Sequence, residues 1–324
     1  MSNAIQIDEF GGPEVLRWRE VALPAPGAGE VLVRHTAVGL NFIDTYHRSG
    51  LYPLELPTGL GTEAAGVVEA LGNGVDQLAP GDRVAWLGLP PGAYAEQRVY
   101  PAERLVRLPQ DISDETAAGG LLKGLTAWYL LHRSYPAQPG DWVLLYAAAG
   151  GVGSIAARWA AAKDVRVIGV AGSAAKAAQA RENGCEAVVL ADADDFVAQV
   201  RALTGDEGVA AVYDSVGRDT FFQSLDCLRM HGTMVSYGNA TGAVEPFSPM
   251  ELARRGSLFL TRPAVFDFIR TREELEAATT ALFSAMQSGA VRVDVNQRYP
   301  LRDAAQAHID LEARRTTGST LLLP

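Results

Sequence analysis

Cysteine is scarce in this chain of 324 residues, and long apolar runs are missing. Cys185 and Cys227 are the only cysteines and show no C-x-x-C spacing, which excludes a disulfide framework and a cysteine-built structural zinc site. No stretch is apolar enough to span a bilayer, and the first residues lack a basic segment followed by an apolar run. We therefore expect a soluble, unexported protein of a reducing cytoplasm, with no membrane insertion.

Positive charge is also in the minority. Lysine and arginine together number 28 against 38 aspartate and glutamate residues, so the formal net charge is -10 at pH 7. The electric field of a protein with this net negative charge repels polyanions at long range. Nucleic acid is therefore an unlikely partner, and any anion-binding site must depend on positive groups in its immediate surroundings. The length predicts about two domains with a sizeable core.

The strongest motif lies in the middle of the chain, where an apolar run at residues 142–146 breaks into the glycine-rich stretch 147–154. A helical pattern follows from about residue 152 to residue 163. This order predicts a strand, a phosphate-binding turn and a helix. An ordinary tight turn between a strand and a helix is the alternative, but the elements on both sides favour a nucleotide.

Placed on Ala148, Gly150 and Gly153, the dinucleotide fingerprint G-x-G-x-x-G has alanine at its first glycine. Gly150 would let the backbone approach a pyrophosphate, and Gly153 would let the helix lie close to the strand. The first N–H groups of the helix would point at the phosphates, helped by the helix dipole. The predicted contacts in this turn are Ala149, Gly150, Gly151, Val152 and Gly153.

Short β-type runs separated by glycine and proline predict a compact β-rich domain up to about residue 120. These runs lie at residues 30–38, 64–70, 83–86 and 94–99. Beyond Asp114, strands and helices alternate to about Arg262, which predicts an α/β doubly wound parallel sheet. Its strands are expected at residues 143–146, 165–170, 187–190, 211–214 and 233–237.

The last part of the chain opens with a capping box at Thr271 and Glu274, followed by a helix that Gly289 is placed to end. A strand, a helix near residues 303–314 and the run 319–323 complete it. These elements are too few to bury a core of their own, so we expect them to return to the first domain. The predicted domains are residues 1–121, 122–262 and 263–324, the first and last forming one domain.

The residues after the second strand of the sheet predict which nicotinamide cofactor is bound. NAD sites usually place a carboxylate here for the ribose hydroxyls, whereas this chain has Gly172 and Ser173 followed by Lys176. A carboxylate would repel a 2′-phosphate, while Ser173 can donate a hydrogen bond and Lys176 can offer a charge. NADPH is therefore favoured over NADH, although Lys176 could equally be a solvated lysine on a helix surface.

Three blocks, at residues 41–50, 61–66 and 147–154, together resemble the zinc-independent quinone oxidoreductases of the medium-chain dehydrogenase/reductase superfamily, which include the zeta-crystallins. Further similarity lies at residues 213–217 and 317–319. The resemblance implies a GroES-like, partly open β-barrel domain split by an inserted Rossmann domain. It also implies an active site in the cleft and, commonly, a homodimer.

The chain departs from the zinc-dependent branch of that superfamily at the metal ligands. A ligand cysteine is replaced by Asn41 or its neighbours, and the Gly-His-Glu motif is replaced by Gly61, Thr62 and Glu63. Thr62 and Glu63 could equally be structural. Without a Lewis acid, the chemistry should favour acceptors that delocalise negative charge by themselves, such as a small quinone or an activated enone.

The resemblance places Asn41, Asp44, Tyr46 and Tyr52 around the nicotinamide and the acceptor. Asn41 can donate or accept a hydrogen bond, each tyrosine offers an apolar face with a hydroxyl, and Asp44 can orient a neighbour or accept a proton. Helix capping is the alternative for Asp44, and packing is the alternative for both tyrosines. We favour cofactor contact for Tyr46 and leave Tyr52 open.

The resemblance also implies cofactor contacts outside the glycine-rich turn, although surface ion pairing competes with this role for the two arginines. These residues are Lys123, Ser215, Tyr237, Gly238, Asn239, Arg262 and Arg314. Relatives often carry an aromatic residue or histidine against the adenine just after the third strand, and Ala191 aligns with that position. The sequence therefore leaves the adenine contact open.

The histidines show no metal-ligand spacing. His47 could be a proton donor, but we interpret it as a half-exposed histidine in a loop. His35 and His308 are interpreted as structural or surface residues.

The sequence thus predicts an NADPH-dependent quinone reductase without zinc. An enone or alkenal double-bond reductase is an alternative on the same scaffold, because loops shape the acceptor pocket. A noncatalytic NADPH- or RNA-binding protein of the zeta-crystallin type is a third possibility, which the overall acidity disfavours.

Overall fold

The computed structural model describes all 324 residues, which divide into two compact units. The first unit contains Met1–Leu122, Ile269–Phe283 and Val293–Pro324. The second unit contains Lys123–Phe268 and Ser284–Arg292. None of the helices combines the length and the hydropathy that crossing a membrane requires.

Strands and helices follow one another along the chain with short connections. The strands are β1 (Ser2–Ile7), β2 (Arg17–Val21), β3 (Glu30–Leu40), β4 (Thr58–Gly59), β5 (Glu63–Leu71), β6 (Arg83–Leu87), β7 (Gln97–Pro101), β8 (Val106–Arg107), β9 (Trp142–Leu145), β10 (Arg166–Ala171), β11 (Ala187–Leu190), β12 (Val209–Asp214), β13 (Leu228–Ser236), β14 (Phe259–Thr261), β15 (Val295–Pro300) and β16 (Ser319–Leu323). The helices are α1 (Phe42–Ser49), α2 (Asp114–Tyr129), α3 (Gly151–Ala161), α4 (Ala174–Glu182), α5 (Phe196–Leu203), α6 (Phe221–Asp226), α7 (Met250–Arg254), α8 (Arg272–Gln287) and α9 (Ala304–Glu312). A π-helical turn, Leu130–Ser134, continues α2.

The second unit is built on a six-stranded parallel sheet in the order β11-β10-β9-β12-β13-β14. Apolar side chains such as Leu144, Ile168 and Val212 fill its core, as expected for parallel strands buried on both faces. The chain reverses its direction of travel across the sheet between β9 and β12. At such a switch point the loops at the carboxyl ends of the strands separate and open a crevice for a ligand. The predicted doubly wound sheet is confirmed.

The first unit contains a sheet in the order β15-β16-β3-β5-β6-β8, with β7 also paired to β3, and a smaller sheet in the order β2-β1-β4. Val31, Val33, Trp86 and Leu322 pack together in one apolar core. The predicted β-rich character is confirmed. The sequence analysis did not find β1, β2 and β4, because β4 has two residues and β2 is mostly exposed, so neither shows a clear buried period.

The capping box that precedes α8 is present. Thr271 donates its backbone N–H to Glu274 Oε2 at 3.1 Å, and Glu274 donates its own backbone N–H to Thr271 Oγ1 at 3.2 Å. Gly289 follows the helix with a φ of 79°, the left-handed conformation in which glycine commonly ends helices. Further along the chain, β16 pairs with both β15 and β3, so these C-terminal residues complete the large sheet of the first unit.

Candidate active site

The glycine-rich turn leaves β9 through Ala147, whose φ of 52° bends the chain sharply. Gly150 donates its N–H to the Ala147 carbonyl at 2.8 Å and forms the N-cap of α3. The first helical hydrogen bond is donated by Ser154 to the Gly150 carbonyl at 2.9 Å. The N–H groups of the helix's first turn, at residues 151–153, therefore have no acceptor within the helix and are the type of donors that bind phosphate.

The two glycines of the fingerprint have different surroundings. A Cβ atom at Gly153 would lie 2.2 Å from the Ala147 oxygen and 2.8 Å from the Ala148 Cα, so only glycine permits this approach of helix and strand. This confirms the packing role predicted for Gly153. A Cβ atom at Gly150 would meet only Ala147, at 3.1 Å. The remaining space around Gly150 leaves room for a close approach by another group.

The end of β12 is organised by Asp214, a buried carboxylate whose pKa is raised chiefly by burial. It accepts hydrogen bonds from the N–H groups of Val216 and Gly217 at 2.7 and 3.1 Å, which bends the chain immediately after Ser215. The hydroxyls of Thr220 and Ser224 donate to its other oxygen at 2.8 and 3.0 Å. Because every bond stays within the loop and α6, Asp214 stabilises the end of the strand.

The loop after β13 lies directly beside that turn. The Tyr237 N–H donates to the Asp214 carbonyl at 2.8 Å, and a Cβ atom at Gly238 would stand 2.3 Å from the Ser215 carbonyl oxygen. Ser215 and the segment 237–239 are therefore neighbours at the carboxyl edge of the sheet. The strand order places β12 beside β9, so the structure brings these predicted cofactor contacts to the same edge as the glycine-rich turn.

The end of β10 carries the residues that the sequence linked to the cofactor's ribose. Gly172 is exposed, and a Cβ atom there would meet nothing within 4 Å. Ser173 is the N-cap of α4, and its hydroxyl oxygen accepts the backbone N–H of Lys176 at 3.3 Å. Ser173 therefore has a capping role that the sequence analysis did not consider. Lys176 lies in the first turn of the helix and is half-buried.

The remaining predicted cofactor residues are dispersed. Lys123 is buried in α2, where the second unit begins. Arg262 is exposed just after β14 and donates to the Pro263 carbonyl at 3.1 Å. Arg314 is exposed after α9, has a φ of 58° and belongs to the first unit. Ala191 follows β11 and carries no ring.

The predicted catalytic residues lie in the first unit, around the start of α1. Asn41 is the N-cap of this helix, and its backbone N–H donates to Asp44 Oδ2 at 2.9 Å. Gly50 ends the helix with a φ of 79°. The capping alternative for Asp44 is therefore confirmed, since its carboxylate accepts the backbone donor at the helix N-terminus.

Asp44 does more than cap the helix, because it is fully buried and has two further side-chain donors. The Thr62 hydroxyl donates to Oδ1 at 3.1 Å, and the Tyr94 hydroxyl donates to Oδ2 at 3.0 Å. Burial raises the pKa of Asp44 to about 7, with Glu63 adding a smaller repulsion, although the hydrogen bonds favour the charged form. This carboxyl group consequently changes its charge near neutral pH.

Glu63 links three elements of the first unit. Its Oε1 accepts a hydrogen bond from the Asn41 side-chain amide at 2.8 Å, and its Oε2 accepts the backbone N–H of Leu122 in α2 at 2.6 Å. The carboxylate is fully buried on β5. These contacts give Glu63 the structural role that the sequence left as an alternative, and they fix the amide of Asn41.

An aromatic group stands at the other end of α1. The rings of Tyr46 and Tyr52 meet edge to face with their centroids 5.2 Å apart, and the Tyr52 N–H donates to the Tyr46 carbonyl at 3.1 Å. His47 packs against Tyr52 with a centroid separation of 6.2 Å. The interpretation of His47 as a half-exposed loop residue is wrong: it lies within α1 and is only 3% exposed. Burial lowers its pKa to about 4.

The other two histidines singled out in the sequence are buried as well. His35 hydrogen-bonds the Ala95 carbonyl at 2.7 Å through Nδ1 and accepts from the Trp86 indole at 3.2 Å, so it is structural. His308 is fully buried and is not a surface residue. It contacts Arg48 and Tyr94, each at 3.0 Å.

Tyr94 and Arg48 were missed by the sequence analysis. Tyr94 and His308 are 214 positions apart, and no local pattern connects them. Only the folding of distant parts of the sequence brings Tyr94 and His308 close to Asp44 and Arg48.

Known proteins match the chain over its full length. The alcohol dehydrogenase GroES-like domain family matches residues 27–110, and the zinc-binding dehydrogenase family matches residues 151–284. The quinone oxidoreductase of Pseudomonas aeruginosa is 47% identical, covering 100% of both chains. The crystal structure of Escherichia coli quinone oxidoreductase complexed with NADPH has 47% identity and a TM-score of 0.97, covering 99% of this chain and 100% of the other. The chain belongs to the quinone oxidoreductases of the medium-chain dehydrogenase/reductase superfamily.

A different activity also occurs among the relatives of this quinone oxidoreductase family member. A 2-haloacrylate reductase from Burkholderia is 45% identical, covering 100% of this chain and 99% of its own. The quinone oxidoreductase resemblance carried by residues 41–50, 61–66 and 147–154 is confirmed, as is the predicted combination of a GroES-like domain with a Rossmann sheet.

The donor atoms at the positions of the zinc ligands are committed to hydrogen bonds. Asn41 and Glu63 bond to each other, and Thr62 bonds to Asp44. No group of three or more histidine, cysteine, aspartate or glutamate side chains is arranged to hold a metal ion. The carboxylate of Asp44 and the hydroxyls of Thr62 and Tyr94 form one hydrogen-bonded cluster.

Proposed function

We propose that the protein is an NADPH-dependent quinone reductase that passes reducing equivalents from NADPH to a small quinone without zinc. The observation that carries the proposal is the full-length relationship to quinone oxidoreductases, one of which was solved in complex with NADPH. The donor set supports zinc-free chemistry, since Asn41 offers an amide and Thr62 a hydroxyl where zinc would require soft or imidazole ligands. A reduced quinone delocalises its charge, so orientation and hydrogen bonding are sufficient.

The second unit fits NADPH through groups that bind phosphate. The first-turn N–H groups of α3 would hold the pyrophosphate, and the open side of Gly150 would let it approach. Ser173 and Lys176 at the end of β10 would meet the 2′-phosphate, where no carboxylate stands to repel it. We assign cofactor contacts to these residues and to Tyr46, Lys123, Ala149, Gly151, Val152, Gly153, Gly172, Ser215, Tyr237, Gly238, Asn239, Arg262 and Arg314. When bound, NADPH supplies the electrons of the reaction.

The acceptor side belongs to residues of the first unit. Asn41 is held by Glu63 and presents a fixed amide, while Tyr46 and Tyr52 offer aromatic surface suited to a flat quinone ring. Reduction of a quinone to a hydroquinone by NADPH consumes one proton from solution. A carboxyl group with a pKa of about 7, such as that of Asp44, holds or releases a proton at little cost under these conditions.

We further assign residues 1–121 with 263–324 to the catalytic domain and residues 122–262 to the cofactor domain, in a cytoplasmic homodimer. The edge strand β14 supports the dimer. Phe259 is 61% exposed and Leu260 38% exposed on this strand, which has a neighbour on one side only. An apolar edge of this kind is suited to pairing with a second copy. Cys185 and Cys227 are free and buried, in keeping with a reducing compartment.

Reduction of an activated carbon–carbon double bond is the second candidate. The 45% identity to the Burkholderia 2-haloacrylate reductase favours it, because haloacrylates are activated alkenes. Both acceptor classes yield an anion that needs no Lewis acid.

A panel of quinones and enones, assayed with NADPH and NADH under metal chelation, tests the proposal. We expect oxidation of NADPH by quinones at rates that chelation does not change. Turnover of enones alone would replace the proposal with the second candidate. Tight NADPH binding without any turnover would exclude both enzymes, and a zinc content near one per chain with loss of activity on chelation would exclude the zinc-free reaction.

A further inference from the structure

A chain of buried side chains runs from the surface of the first unit to Asp44, and it deepens the proposed function on which it rests. It begins at Glu312, whose carboxylate forms two hydrogen bonds with the Arg48 guanidinium, at 3.0 and 2.6 Å. Arg48 is buried and donates through Nη1 to His308 Nδ1 at 3.0 Å. His308 Nε2 then contacts the Tyr94 hydroxyl at 3.0 Å, and Tyr94 contacts Asp44 Oδ2 at 3.0 Å.

The direction of every hydrogen bond from Arg48 to Asp44 follows from the chemistry of Arg48. A guanidinium has donors only and stays protonated in proteins, so His308 Nδ1 must accept from Arg48 and carries no hydrogen. Burial and the charge of Arg48 lower the pKa of His308 to about 3, which leaves the imidazole neutral with its single hydrogen on Nε2. The Nε2–H therefore donates to the Tyr94 oxygen, and the Tyr94 O–H is directed to Asp44.

Arg48 cannot change this arrangement by moving, because all three of its nitrogens are engaged. Besides Glu312 and His308, its Nε donates to the Gly11 carbonyl at 3.1 Å. Nor can this row of side chains conduct a proton from the surface, since a guanidinium has donors only and offers no acceptor atom to an incoming proton. Tyr94 is also held in its protonated form, because burial and the Asp44 carboxylate raise its pKa well above the ordinary value.

The two oxygens of Asp44 consequently differ. Oδ2 receives the Asn41 N–H and the Tyr94 O–H, neither of which can reverse. Oδ1 receives only the hydroxyl of Thr62, and a hydroxyl can rotate from donating to accepting. A proton added to Asp44 thus finds an acceptor on the Oδ1 side and none on the Oδ2 side.

We propose that Arg48, His308 and Tyr94 form a one-way hydrogen-bond lock that keeps Oδ2 of Asp44 as a permanent acceptor and leaves Oδ1, facing Thr62, as the oxygen that exchanges a proton. Tyr94 and His308 are positioning residues in this scheme. The charged and titratable groups around Asp44 are Glu63 on β5, Tyr94, and Arg48 and His308 beyond it.

The tautomer of His308 tests the lock in the unaltered protein. Nitrogen-15 NMR of the His308 imidazole is expected to show a neutral ring that carries its hydrogen on Nε2 at neutral pH. Hydrogen on Nδ1, or a charged ring, would overturn the proposal. This measurement needs neither turnover nor a variant, so absence of quinone reductase activity would refute the proposed function without affecting the result for the lock.

Variants test the effect on Asp44. Carbon-13 NMR of labelled aspartate, with the Asp44 signal assigned through Asp44→Asn, reports its pKa directly. Tyr94→Phe removes a donor to the charged form and should raise this pKa by roughly one unit. Tyr299→Phe is the matched control. Tyr299 also donates to a carboxylate, that of Asp310 at 2.7 Å, but it is not one of the side chains that connect Glu312 to Asp44. An unchanged pKa in Tyr94→Phe would contradict the lock.

The role of Thr62 is tested by kinetics. Thr62→Val should lower kcat at least tenfold and change its pH profile, because a methyl group cannot accept a hydrogen bond from the protonated Oδ1. Thr62→Ser retains the hydroxyl and should restore both. Failure of serine to rescue a folded protein, or a Thr62→Val variant with the normal pH profile, would overturn the assignment of Oδ1 as the exchanging oxygen.

Discussion

A Cβ atom added to Gly153 would stand 2.2 Å from the carbonyl oxygen of Ala147, a separation that real side chains do not reach. The Ala147 oxygen is a backbone atom just after β9, and Gly153 lies in the first turn of α3. The oxygen therefore cannot rotate out of the way as a flexible side chain could. Substitution therefore has to shift α3 away from β9.

We predict that Gly153→Ala lowers the free energy of unfolding by about 1–3 kcal/mol and weakens NADPH binding as well. Gly150→Ala should affect binding and leave stability nearly unchanged, because its Cβ meets only Ala147. Urea denaturation and fluorescence titration with NADPH measure the two effects. Gly172→Ala, where the added atom meets nothing within 4 Å, is the stability control. Equal stability of all three variants would contradict the packing argument.

Lys176 is predicted to discriminate between the two nicotinamide cofactors. Lys176→Ala should weaken NADPH binding by roughly 1–3 kcal/mol, the usual loss for a hydrogen bond to a charged group, and leave NADH binding unchanged. Isothermal titration with both cofactors measures the difference. Lys163→Ala serves as the control, because this lysine follows the C-terminal end of α3, whereas the phosphate-binding turn lies at the N-terminal end. Equal affinities of the wild-type protein for NADPH and NADH would refute the assignment.

The buried histidines predict a loss of stability in acid. Burial lowers the pKa of His35 to about 4, so the unfolded chain takes up its proton near pH 6.5 and the folded chain resists it. The stability contributed by neutral His35 is complete above pH 6.5 and is lost as the pH falls toward 4, by on the order of 3 kcal/mol. Asp44 acts in the opposite sense: its raised pKa makes the folded state less stable as the pH rises from about 4 to about 7.

Urea unfolding across this pH range separates the two contributions. Because the two contributions act over the same pH range with opposite signs, His35→Gln should reduce the rise in stability from pH 4 to pH 6.5, and Asp44→Asn should make that rise steeper. His231→Asn, at an exposed position of β13 with a φ of 58°, is the control. A His35→Gln profile parallel to that of the wild type would contradict the prediction.

The edge strand β14 is predicted to form the dimer contact. Phe259→Lys places a charge on its exposed face and should convert the dimer to a monomer without changing the fold of the second unit. Light scattering after gel filtration gives the mass, and circular dichroism checks the fold. Leu203→Lys adds the same charge at an exposed leucine on α5, away from β14 in the strand order, and should leave the dimer intact. A monomeric wild-type protein would refute the homodimer itself.

The elements that the sequence predicted well are those specified by nearby residues. The order of apolar run, glycines and helix around Gly150 identified β9 and α3, and the pair Thr271 and Glu274 identified the start of α8. Each signal lies within one turn or one strand, where local geometry decides the outcome. The family resemblance supplied the rest of the architecture.

Burial and partnership of polar groups could not be predicted in the same way. His47 appeared to be a loop residue, because a short helix of eight residues with five buried side chains shows no clean period. The sequence predicted Asp44 as a possible cap, but its bonds to Thr62 and Tyr94 join residues 18 and 50 positions apart. Such contacts exist only after the sheets have formed.

The contact between Arg48 and Glu312 spans 264 positions, which affects the order in which parts of the protein can fold during synthesis. The first unit cannot complete its lock, or its large sheet, until β16 and α9 at the far end of the chain have left the ribosome. Most of the second unit is one continuous segment, Lys123–Phe268, and can fold as soon as it emerges. We therefore expect the second unit to fold first during synthesis. The N-terminal third of the protein should complete its folding only after the C-terminal residues have been synthesised.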